Sequence, residues 1–216
     1  MDINFGQLFI SLLVLVFSLT VHESAHAWAA DRLGDPTARL LGRVSLNPAV
    51  HVDPVGTLLF PLVGMVTGAP LIGWAKPVPV STWRFERPRR DYLMVAAAGP
   101  LSNLALAFVA AVATRSLVGL GGMIGTRAAG AALIAPLTSL TWSALQVNVL
   151  LAIFNLLPIP PLDGSSVLAG VLPERLAAGL DRIRPYGFLL LYALLLSGGF
   201  SLVVGVPYRF VMSWLL

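Results

Sequence analysis

The chain is predicted to be an α-helical polytopic membrane protein, with about four to six membrane helices and a small membrane-associated β element. Three observations lead there. Hydrophobic residues make up 57% of the 216 and charged residues only 11%, with a mean hydropathy of +0.84, which is too apolar for a soluble domain of this size. Apolar runs recur along the chain, several of them near the roughly twenty residues that a spanning helix needs. Lysine and arginine fall mainly between those runs, where they report topology. For the same reason the net charge of +4 and pI near 10.1 do not indicate a nucleic-acid partner. The length accommodates one integral-membrane domain, residues 1–216. There is no cysteine, so disulfides and thiolate metal ligands are excluded.

The first run extends from residue 5 to about residue 33 and carries His22-Glu23-Ser24-Ala25-His26. Residues 1–4 have no positive charge and the run leads into this motif, not into a small-residue cleavage site, so a signal peptide is not expected. In a helix His22 and His26 share a face and can reach one ion, while Glu23 lies beside them, close enough to move a water proton. Zinc is the expected ion, one per chain. Three ionisable groups inside a span are costly, which argues for a function. The helix should end at Gly34-Asp35-Pro36.

Residues 39–90 are the least regular. Residues 56–66 are apolar but contain Pro61 and Gly64 and are too short to span. Residues 74–80 read as extended chain. The pair is expected to form a re-entrant or membrane-dipping β element. Arg84, Arg87, Arg89 and Arg90 then form a basic cluster at headgroup level. Two further spans are expected over residues 92–113, broken at Gly99-Pro100, and 131–157, separated by a glycine-rich turn at 119–125. Gly99-Pro100-Leu101-Ser102-Asn103 reads locally as a kink with small residues for close helix contact. A last apolar run, 188–204, leads to an interfacial segment at 208–216.

If residues 56–66 do not span, residues 31–91 and 158–186 share one side and hold eleven of the fourteen Lys and Arg. The positive-inside rule makes that side cytoplasmic, in a cell (inner or plasma) membrane, with the metal site toward the cytoplasmic side.

A third metal ligand is needed, and the candidates are Asp31, Asp35, His51, Asp53 and Asp163. Asp163 ends Asn155-Leu156-Leu157-Pro158-Ile159-Pro160-Pro161-Leu162-Asp163, where the prolines should stop a helix and hold extended chain. Taken alone, Asp163 reads more readily as the cap of a helix starting at Gly164 than as a ligand. His51 and Asp53 either line the site as accessory groups or belong to a polar loop.

With these motifs in order, the chain resembles the site-2 protease family of intramembrane zinc metalloproteases, in particular its compact prokaryotic members without a PDZ domain. Residues 73–80 and 99–103 also resemble stretches of those members. The resemblance implies His22, His26 and Asp163 as zinc ligands, Glu23 as catalytic acid/base and Asn155 as a catalytic asparagine near the metal. It further implies a transmembrane protein as substrate, cleaved within or near the lipid bilayer. A substrate helix must unwind before cleavage, and residues 73–80, with Gly73, Trp74, Ala75 and Lys76 as the substrate-binding candidates, are expected to receive the unwound piece as an added strand. The competing class is a non-proteolytic membrane metal-binding or carrier protein. Glu23 argues against it, because simple coordination needs no extra carboxylate at that place.

Overall fold

The computed structural model describes residues 5–67, 73–124 and 129–216. The first apolar run forms α1 (Phe5–Arg32). It stops at the expected turn, where the N–H groups of Leu33 and Asp35 close onto the carbonyls of Ala29 and Ala30. A single turn, α2 (Thr37–Leu40), and an irregular loop follow. A π-helical turn, Pro54–Leu59, then runs into α3 (Phe60–Thr67).

The chain returns from α3 to where it left. Trp74 N–H donates to the Gly56 carbonyl at 3.1 Å, Thr57 Oγ1 donates to the Trp74 carbonyl at 2.8 Å, and the Phe60 and Trp74 rings lie 5.3 Å apart. Residues 73–80 form neither helix nor turn, and no β-strand occurs among the described residues, so the expected β element is not present there. The physical reason is pairing. N–H groups of Trp74 and Lys76 reach the turn carbonyls of Gly56 and His51 (3.1 and 2.8 Å), so the segment is tethered at two points without a ladder partner.

The remaining elements are α4 (Pro88–Ile124), α5 (Ala129–Asn155), α6 (Asp163–Val171), α7 (Glu174–Ile183), α8 (Gly187–Leu196), α9 (Gly199–Val203) and α10 (Gly205–Leu215). Among the described residues, α1, α4 and α5 are each long and apolar enough to cross a membrane. A fourth span results if α7 to α10, bent by 92° at residues 197–198, are taken together. The helix count therefore falls at or just below the lower end of the expected range.

Four local expectations are corrected. Helix α4 continues through Gly99-Pro100 and through residues 119–124, so neither the break nor the described part of the glycine-rich turn exists; Gly125 lies outside the described residues. Within a bilayer the backbone must satisfy its own hydrogen bonds, and this outweighs the weak helix propensity of Gly and Pro. Residues 156–162 form successive turns, not extended chain, with Leu162 N–H closing on the Ile159 carbonyl at 3.0 Å. Finally, α10 packs on α5 and buries Met212 in the main core, so it is part of the bundle.

Helix α4 lies at the centre, against α5, α1 and α6. Ala107, Ala110 and Ala111 of α4 meet Leu145, Val149 and Ile153 of α5. Lipid is as apolar as leucine, so these small side chains act by letting backbones approach closely, where dispersion holds them. Phe9, Phe17 and Phe108 are more than half exposed and face outward, as lipid contact requires.

Candidate metal centre

Two imidazoles and a carboxylate meet where α1, α4 and the start of α6 converge. His22 and His26 are both buried on one face of α1, and their Nε2 atoms are 3.0 Å apart. Asp163 Oδ2 lies 3.1 Å from His22 Nε2 and 3.4 Å from His26 Nε2. The carboxylate belongs to the first residue of α6, and its side chain does not cap that helix. Its local reading as a helix cap is therefore corrected. The prolines turn the chain after α5, and the backbone at Gly164 then presses against Leu156, whose carbonyl would lie 2.2 Å from any added Cβ. That approach delivers Asp163 to the histidines.

The second ring nitrogen of each histidine is spoken for. His22 Nδ1–H donates to Asn103 Oδ1 at 2.6 Å, and His26 Nδ1–H to the Val95 carbonyl at 2.7 Å. The orientation of the Asn103 amide follows from its own donation to Asn148 Oδ1 (2.9 Å), and Asn148 donates in turn to Ser18 Oγ (2.9 Å). Both Nε2 atoms thus present lone pairs toward Asp163 Oδ2, a buried oxygen without a well-formed hydrogen bond. Three lone-pair donors facing one another repel unless a cation sits among them. All three atoms lie within 4.8 Å of one another, compatible with the roughly 3.3 Å donor spacing around tetrahedral zinc with bonds near 2.0 Å. The donor set fits zinc.

Gly99 of α4 faces the pair. A Cβ there would lie 2.3 Å from His26 Nε2 and 2.6 Å from His22 Nε2. The 99–103 stretch, read from sequence mainly as a kink, thus supplies both the space for the imidazoles and the amide that orients one of them. The legible signal was Asn103 itself, a polar side chain in the middle of a span.

Glu23 is half-buried, one residue along α1 from His22. It continues the helix face of Val16 and Thr20. That face borders an open, mostly apolar groove of about 440 Å³ lined by Phe9, Leu13, Val16, Phe17, Thr20 and Leu58. Asn155, the last residue of α5, donates one amide hydrogen to the Leu151 carbonyl at 3.0 Å. It makes no hydrogen bond to the three candidate ligands.

The other candidate ligands are engaged elsewhere. Asp31 pairs with Arg39 at 2.8 Å. Asp53 caps the π-helical turn, its Oδ1 accepting from Val55 and Gly56 N–H at 3.0 and 2.7 Å. Buried His51 donates from Nε2 to the Ser45 carbonyl at 2.8 Å, and Ser24 of α1 donates to the same carbonyl. Asp35 is fully buried and accepts from the Thr37 hydroxyl and from the N–H groups of Ser81 (2.6 Å) and Thr37 (3.0 Å). Burial pushes its carboxyl up, but those donors and the Arg84 guanidinium together hold it below its ordinary value. It fastens the turn after α1 to the end of the extended segment.

Known proteins resemble the chain over most of its length. The model of peptidase family M50 matches residues 10–119 and 112–197. A Bacillus subtilis (strain 168) protein described as "Putative zinc metalloprotease YwhC" is 35% identical over 192 residues, covering 86% of this chain and 80% of that protein. A Mycobacterium tuberculosis (strain H37Rv) protein with the same description under the name Rip2 is 33% identical over 186 residues, covering 83% of this chain and 64% of its own length. The Mycolicibacterium smegmatis Rip2 is 30% identical over 190 residues, covering 84% of this chain and 64% of that protein. No solved structure matches. The chain spans nearly two thirds of the Rip2 proteins and belongs to peptidase family M50, the site-2 protease family of membrane metalloproteases.

Proposed function

We propose that the chain is a zinc-dependent intramembrane endopeptidase that hydrolyses a peptide bond within or near the transmembrane segment of a membrane protein, as in regulated intramembrane proteolysis. The observation that carries this is the convergence of His22, His26 and Asp163, with Glu23 held beside them but engaged in none of their contacts. Held by His22, His26 and Asp163, a zinc ion would supply Lewis-acid chemistry, activating a water near neutral pH and polarising a carbonyl.

The chain supplies the rest. Glu23 takes the water proton as the scissile carbonyl is attacked and returns it to the departing amine. Asn103 and the Val95 carbonyl hold the two rings in one tautomer and orientation. Asn155 spends one amide hydrogen on Leu151 and keeps the other for the developing oxyanion or a substrate backbone group.

A substrate helix hides its carbonyls and must unwind before cleavage. Its apolar part fits the groove along Phe9, Leu13, Val16 and Thr20, and Thr20 precedes Glu23 by about one helical turn. Gly73, Trp74, Ala75 and Lys76 offer an edge to the unwound part: Trp74 and Lys76 turn their N–H groups inward to Gly56 and His51, and in extended chain Ala75 between them would face the other way. The charge distribution favours a site opening toward the cytoplasm.

The test is Glu23→Gln, assayed for cleavage of a model single-span substrate and for zinc content. We expect cleavage to be abolished with zinc retained at one per chain. Loss of zinc together with activity makes Glu23 a ligand, and retained cleavage removes it from the mechanism. Zinc binding without cleavage in the unmodified protein supports a metal-binding or carrier role instead.

A further inference from the structure

Where α4 begins, an open groove of about 600 Å³ separates its first turn from the end of α6. Its rim carries Arg87, Arg89 and Arg90, and its wall is formed by Leu93, Val171 and Leu172. All three arginines are exposed, and none forms an ion pair among the described residues. Arg89 is held in place by a bifurcated donation to the Ala169 carbonyl, at 2.8 and 3.2 Å. Among the described residues, the Arg87 and Arg90 side chains have no acceptor. The buried carboxylate of Asp91 accepts the Arg87 N–H at 2.9 Å and offsets one of the three charges. The rim of a groove with an apolar wall therefore keeps a net positive charge.

The level of the groove is fixed by the sequence. The apolar run of α4 starts just beyond it, at Tyr92 and Leu93, and Trp83 is exposed nearby with the Arg84 guanidinium 4.4 Å above its ring. Arginines followed by a span, with an aromatic beside them, mark the headgroup layer. A group that suits both halves of the groove has a phosphate for the guanidiniums and a hydrocarbon chain for Leu93, Val171 and Leu172.

We propose that this groove is a binding site for one anionic glycerophospholipid, its phosphate held by Arg87, Arg89 and Arg90 and one acyl chain lying along Leu93, Val171 and Leu172. A free phosphate shares the headgroup chemistry but leaves the apolar wall unused, so the lipid is the favoured source. The site needs no assumption about the protease reaction. Occupancy would join the first turn of α4, the helix that carries Asn103, to the end of α6, the helix that carries Asp163, and so stiffen the frame around the metal site.

The experiment uses the full chain purified in a neutral detergent. Thermal stability and retained lipid by native mass spectrometry are followed while phosphatidylglycerol, phosphatidylcholine or inorganic phosphate is added. We expect phosphatidylglycerol alone to raise Tm and to remain bound at one per chain. Replacing Arg87 and Arg90 together by Gln should weaken that binding roughly thirtyfold, from about fivefold per arginine, with zinc content unchanged. Val171→Asp should abolish retention of the lipid and leave the arginines in place. Equal effects of phosphatidylcholine, a shift reproduced by inorganic phosphate, or full retention by either variant each overturn the proposal.

Discussion

Asp163 is where two chemical roles give opposite outcomes for one conservative substitution. As a helix cap it would tolerate Asp163→Asn, because Asn caps as well as Asp. As a ligand it supplies the negative charge closest to both imidazoles, 3.1 and 3.4 Å away, and the neutral amide should strip zinc and end activity. We expect the second outcome, while His51→Ala and Asp53→Asn each leave zinc in place. Full zinc and activity in Asp163→Asn, with either of the others losing both, would move the ligand to the first loop. Around the ligands, Gly99 and Asn103 act in different ways. In Gly99→Ala a methyl would occupy the space of His26 Nε2, 2.3 Å away, so zinc binding should be lost altogether. Asn103→Ala removes only the partner of His22 Nδ1 and should weaken zinc by about 10–100-fold. Hydrogen bonds between membrane helices average only about 0.6 kcal/mol, so Asn103→Ala should fold, and its defect should appear in zinc titration before it appears in Tm. A variant that binds zinc normally would make the Ser18, Asn103 and Asn148 network purely structural.

At the scale of elements, the extended segment after α3 is held by few contacts, and each can be tested. Asp35 accepts three donors and ties the end of α1 to Ser81. Its folded pKa lies below the ordinary 3.8. The stability it contributes is therefore fully present above that value and is lost as pH falls through 3.8 toward the folded pKa. Asp35→Asn, which sets an NH2 group against donors, should cost about 1–3 kcal/mol at neutral pH. The Tm gap to the unmodified protein should stay constant above about pH 5 and close below 3.8. A gap that ignores pH would mean that the charge of Asp35 contributes nothing. Pro61 and Gly64 lie inside α3 and do not end it, while the prolines at 77 and 79 are incompatible with a helix interior and residues 73–80 form none. The absent strand was not legible, because a strand depends on a partner elsewhere in the chain.

For the whole molecule, the return of Trp74 to Gly56 and Phe60 brings the chain back to the place where it entered α3. Together with the eleven-to-three division of Lys and Arg, this predicts that Ser81 and Thr126, the latter outside the described residues, face opposite sides of the membrane. Single cysteines placed at each, in a chain with no native thiol, should label from opposite sides in intact cells. Labelling of both by an impermeant reagent added outside would give residues 56–66 a full crossing.

The sequence by itself determined the class of the molecule, its three long spans and the pairing of His22 with His26. Each of these follows from local quantities: hydropathy summed over some twenty residues, and the fixed four-residue spacing of a helix face. It did not determine the role of Asp163 from its own neighbourhood, where a cap and a ligand look alike; the resemblance proposed the ligand. Only the tertiary structure set that carboxylate beside residues 137 and 141 positions earlier in the chain. It likewise turned Gly99 and Asn103 from a kink into the floor and brace of the metal site. The physical reason is that a ligand set is a coincidence of side chains from different helices, and helix packing in lipid is decided by close backbone approach and buried polar contacts, neither of which is encoded in any one segment.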